Sequence, residues 1–89
     1  MIGNHKEINL MLIDDDKQFL DLNQAMLEGE NDEFKTKATT EPQKVIDELK
    51  SGWPDVVLSD YDMPEMDGIE LLKRVREHDE ALPFMLFTG

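Results

Sequence analysis

The sequence predicts an α/β fold: a mostly parallel sheet with helices on both faces. Three observations predict it. Four short apolar runs, at 8–13, 34–40, 55–60 and 83–89, alternate with three segments of helical period. The connections between them are short and punctuated by Pro, Gly and Asp. Parallel strands need crossover connections, and the intervening helices supply them in the order β-α-β-α-β-α-β.

Residues 1–7 are polar and expected to fray. "INLMLI", 8–13, is continuously apolar, as suits a strand covered on both faces. Residues 16–28 set Phe19, Leu20, Leu22, Met26 and Leu27 at helical spacing, with Asp16 as N-cap and Gly29 as the stop. "FKTKATT", 34–40, alternates Phe34, Thr36 and Ala38 with Lys35 and Lys37, so it reads as a half-exposed edge strand. Thr40 then caps a helix with Pro42 in its first turn, a Val45, Ile46 and Leu49 stripe, and Gly52 as terminator. "DVVLSD", 55–60, is a second buried strand. The Pro64 turn leads to "MDGIELLKRVREHD", whose inward stripe reads as Ile69, Leu72 and Val75. Met63 and Met66 suit turn packing, Trp53 a core edge, and His5 and His78 the surface. "PFMLFTG" is the last strand.

A formal charge of −12 argues against nucleic-acid and anionic membrane surfaces, which would repel it. With no cysteine there is no disulfide, thiol nucleophile or thiolate metal site. No apolar run reaches the roughly 18 residues of a membrane span, and the N-terminus lacks a signal peptide's apolar stretch. A cytoplasmic location is expected.

In open parallel sheets, ligands sit at the carboxyl ends of the strands. Asp14 and Asp15 end the first strand, Asp60 the third and Thr88 the fourth, so all four should share one rim. Two carboxylates at about 4 Å repel by roughly 4 kcal/mol at an effective dielectric near 20. A hard dication offsets that repulsion, and oxygen-only ligands favour Mg²⁺ over Zn²⁺, with Mn²⁺ and Ca²⁺ behind it. Such a rim suits phosphoryl chemistry. Asp60, alone at a strand tip, is the better nucleophile for an acyl phosphate, while the Thr88 hydroxyl and Gly89 amide are available to phosphoryl oxygens. Asp62 and Asp67, taken singly, read as turn or cap residues.

"INLMLIDDD", "PDVVLSDYDMPEMDGIELLKRVRE" and "PFMLFTG" together resemble the receiver domain of two-component response regulators, across essentially the whole chain. The resemblance implies a flavodoxin-like (CheY-like) sheet of order 2-1-3-4-5. It implies that Asp60 is the phosphoacceptor, charged from a phosphohistidine on a sensor histidine kinase or phosphotransfer protein. By the same likeness Asp15 is a direct Mg²⁺ ligand, Asp14 holds the metal through water, the Asp62 backbone carbonyl completes the set, and Thr88 is the switch hydroxyl. Residues 1–89 then form an incomplete receiver domain, without the fourth helix, the fifth strand with its Lys, and the fifth helix. Lys17 is close to the acidic pair in sequence, but a solvated helix face is its expected place. An apolar last strand with one unpaired side is expected to dimerise by sheet pairing or segment exchange, or to leave a chain of this length only marginally folded.

Three other readings compete. A phosphorylation-independent pseudo-receiver would keep the fold and serve only as an interaction module. A phosphatase of the haloacid dehalogenase type is suggested by Asp60-Tyr61-Asp62, against which stands Pro64 where that motif needs a hydroxyl residue. A calcium loop fails because Pro64 occupies a required oxygen-ligand position.

Overall fold

The computed structural model describes residues 7–30 and 32–87. Its elements run β1 (Ile8–Ile13), α1 (Lys17–Glu30), β2 (Phe34–Thr39), α2 (Pro42–Ser51), β3 (Val56–Asp60), α3 (Gly68–His78) and β4 (Phe84–Phe87). The four strands form one parallel sheet of order β2-β1-β3-β4, so the fold is the predicted flavodoxin-like one. The reversal of strand order falls between β1 and β3, where the acidic tips lie.

Alternation along β1 divides the core into two layers. Met11 and Ile13 face α2 and α3, joining Val45, Ile46, Val57, Leu71, Val75 and Leu82. Leu10 and Leu12 face α1 and pack with Leu20, Leu27, Val56 and Leu58. Continuous apolarity in β1 thus has its predicted cause, a strand buried from both sides. Trp53 rests on the edge of the first layer with the Lys37 ammonium 4.6 Å from its ring centroid, and Met63 and Met66 pack against that layer from the β3–α3 loop.

Several local expectations need correction. α1 runs through Gly29 to Glu30, because Gly29 sits on an exposed face where a helix tolerates it. Only Leu20 is buried on that helix. Phe19, Leu22 and Met26 are 40, 60 and 56% exposed, since α1 presents a narrower stripe to the sheet than its apolar content suggests. Thr40 does not cap α2; the N-cap is Glu41, and the Thr39 hydroxyl accepts a hydrogen bond from its amide at 2.9 Å. On α3, Leu71 joins Val75 in the core while Ile69 is exposed and Leu72 half-buried, a rotation of the inward stripe set by where the helix starts. Gly52 ends α2 in the left-handed conformation (φ 76°), as its position predicted.

Residues 1–6, including His5, lie outside the described residues. His78 is exposed at the end of α3. No helix among the described residues is long and apolar enough to cross a membrane.

Candidate functional site

Sheet register brings the acids together. Ile13 pairs with Ser59 across β1 and β3, so the next residue on each strand, Asp14 and Asp60, are neighbours at the carboxyl edge. Asp15 follows Asp14 directly. One carboxylate oxygen from each of Asp14, Asp15 and Asp60 lies within 4.8 Å of the others. Their surroundings differ: Asp14 is buried at 6% exposure, Asp60 is half-buried and Asp15 is exposed. They line an open cleft of about 250 Å³ with Asp16, Phe19 and Phe87.

Two of the other nearby acids are engaged as helix caps. Asp16 Oδ1 accepts from the amides of Gln18 at 3.0 Å and Phe19 at 3.2 Å, which makes it the predicted cap of α1. Asp67 Oδ1 accepts from the Glu70 amide at 2.8 Å and caps α3. Asp62 is exposed in the β3–α3 loop, and its amide donates a long bond, 3.4 Å, to Asp60 Oδ1. Lys17 turns away from the cleft onto Asp21 (3.0 Å) with its side chain 77% exposed, as a solvated helix face requires. Thr88 and Gly89 lie outside the described residues.

Aromatic walls escaped the sequence reading. Phe19 and Phe87 meet with ring centroids 6.0 Å apart and form the apolar side of the cleft. A signal existed in the chain, since Phe19 follows the acidic cluster by one helical turn and Phe87 ends the fourth strand beside Asp60.

Burial pushes the Asp14 carboxyl above its ordinary value of 3.8. The Asp16 amide, donating to Asp14 Oδ1 at 3.0 Å, works against this, while Asp15 and Asp60 add to it as acidic neighbours. The native state therefore holds this proton more tightly than the unfolded chain. Stability from this group is greatest below 3.8 and falls as pH rises through the raised native value. Urea denaturation in EDTA should accordingly show Asp14→Asn more stable than wild type above that window, with the difference vanishing as the pH drops below it. Equal stabilities at neutral pH would contradict the assignment.

A sequence profile of response regulator receiver domains matches residues 10–89. This chain belongs to that family. The receiver domain is 36% identical over 83 residues to a phosphoglycerate transport system transcriptional regulatory protein of Salmonella typhimurium, covering 93% of this chain and 20% of the relative. It is 37% identical over 84 residues to a C4-dicarboxylate transport transcriptional regulatory protein of Pseudomonas aeruginosa, covering 93% and 18%. It thus spans about a fifth of the length of these relatives. Among solved structures, a receiver domain protein from Clostridium thermocellum matches with a TM-score of 0.83 at 19% identity, over 92% of this chain and 65% of the other. A Vibrio cholerae chemotaxis protein matches at 0.80 and 20% identity, over 90% and 67%. These likenesses carry the CheY-like fold. The donor set of the receiver's acidic cleft, three carboxylates with no imidazole or thiolate, suits a hard divalent cation.

Proposed function

We propose that this receiver domain is a phosphoaccepting switch in a two-component phosphorelay, with Asp60 as the acceptor. The observation that carries this reading is the convergence of Asp14, Asp15 and Asp60 within 4.8 Å at the carboxyl end of a parallel sheet. Asp15 and Asp60 would hold Mg²⁺ directly, with the Asp62 backbone carbonyl as a third protein ligand and Asp14 acting through a bound water. Bound there, Mg²⁺ neutralises charge on the phosphoryl group and on the carboxylates around it.

The chain's own part is nucleophilic. An Asp60 Oδ attacks phosphorus of a phosphohistidine on a sensor kinase or phosphotransfer protein. The P–O bond of an acyl phosphate forms, the P–N bond breaks, and the imidazole nitrogen leaves with its electron pair and takes a proton. Thr88 supplies the switch hydroxyl. Phosphorylation then shifts a two-state equilibrium and alters a partner-binding face, which makes the domain a self-modified switch and not a turnover enzyme. A cytoplasmic location fits that role. Pairing with a second copy of this chain along β4 is a further part of this reading.

Incubation with acetyl phosphate and Mg²⁺, followed by intact mass measurement, tests the reading. The expected result is one added phosphoryl group that EDTA prevents. Metal binding without labelling would support a pseudo-receiver instead.

A further inference from the structure

The geometry points to Gly68 as a positioning residue for Asp60, an assignment that rests on the phosphoacceptor reading above. Gly68 opens α3 and is buried. Its backbone is not left-handed; among the described residues only Gly52 has that conformation, so Gly68 is required for space and not for conformational freedom. A Cβ built there would stand 2.8 Å from the Asp60 carbonyl oxygen and 3.1 Å from Tyr61 Cα, and would collide with Leu86 Cδ2. Of these, the Leu86 methyl is the flexible end of a side chain and can move; the backbone of Asp60 cannot move without carrying its carboxylate.

Three further bonds tie the same backbone down. The Gly68 amide donates to the Tyr61 carbonyl at 2.8 Å and closes the β3–α3 loop. The Ser59 hydroxyl donates to the Asp60 carbonyl at 2.9 Å. The Tyr61 amide in turn donates to Phe87 at 3.0 Å, fastening the end of β3 to β4. Asp60 thus sits on a short segment held between α3 and β4, and the missing side chain at Gly68 lets the helix close against it. The carboxylate's place opposite Asp14 and Asp15 depends on that close approach.

Gly68→Ala separates positioning from simple packing when compared with Gly68→Ala/Leu86→Ala and with the core variant Leu71→Ala. Leu86→Ala removes the side-chain collision but leaves the new methyl against the Asp60 backbone. The Mg²⁺ dissociation constant from calorimetry is expected to rise by about 10–100-fold in Gly68→Ala and to stay raised in the double variant. Leu71→Ala should lower stability and leave affinity near wild type. Carbon-13 carboxyl signals of Asp14, Asp15 and Asp60 in metal-free protein should move in both Gly68 variants and hold still in Leu71→Ala. Unmoved carboxyl signals, or full recovery of affinity in the double variant, would overturn the assignment. If wild type itself bound no Mg²⁺, the metal reading would fail, and the carboxyl signals would still decide for or against Gly68.

Discussion

Asp60→Asn is expected to lose acetyl phosphate labelling by at least about 10³-fold, as removal of a reacting nucleophile does elsewhere. The amide cannot form an acyl phosphate, yet its size matches the carboxylate, so the half-buried site keeps its packing. The substitution also removes one of three charges packed within 4.8 Å. Metal-free Asp60→Asn should therefore unfold at the same temperature as wild type or above it. Loss of labelling together with retained stability separates a chemical role from a structural one. Label that persists, relocated to Asp14 or Asp15, would show that the cleft receives phosphoryl groups without Asp60 as the acceptor.

The second large effect concerns association. In solution, the 89-residue chain should form dimers whose dissociation constant rises roughly tenfold or more in Met85→Lys, a loss of about 1.4 kcal/mol. The bonds from Val57 to the Pro83 carbonyl and from Tyr61 to the Phe87 carbonyl alternate along β4. Phe84 and Leu86 therefore direct their amides and carbonyls outward, where no strand lies among the described residues. A two-fold antiparallel partner centred on Met85 would place Phe84 opposite the copy's Leu86, so that both pairs exchange hydrogen bonds. The opposite sheet edge is guarded by Lys35 and Lys37, which pair with Glu7 and Glu48; β4 carries no charge. Met85 is 59% exposed, so lysine there should fold normally and set like charges face to face. Because each chain carries −12, added salt should strengthen the dimer. Light scattering across a dilution series and a salt series reads all three effects, and a monomer throughout would refute the pairing.

Much of this molecule was legible because its signals are local. A cap such as Asp16 or Asp67 needs only amides two or three residues away. Gly52 needs only its own left-handed backbone. Helix faces were harder. Phe19, Leu22 and Met26 have helical spacing, but spacing names a side of the helix without saying how much sheet lies beneath it. The same limit displaced the α3 stripe from Ile69 to Leu71. Thr39 replaced Thr40 near the α2 cap because the chain leaves β2 one residue earlier than composition suggests.

From its own order of residues the chain determines the alternation of strands and helices, the acids at the strand tips and the family they belong to. Those follow from period, punctuation and motif, which act over a few residues. That Asp14, Asp15 and Asp60 share one rim followed from the strand order, but tertiary structure alone decided how closely they converge and how differently they are buried, through the register of Ile13 on Ser59. It also gave the cleft its aromatic wall and set Gly68 against the Asp60 backbone. The physical reason is the same in each case: contacts between distant residues depend on how the sheet aligns its strands, and no short window of sequence contains that alignment.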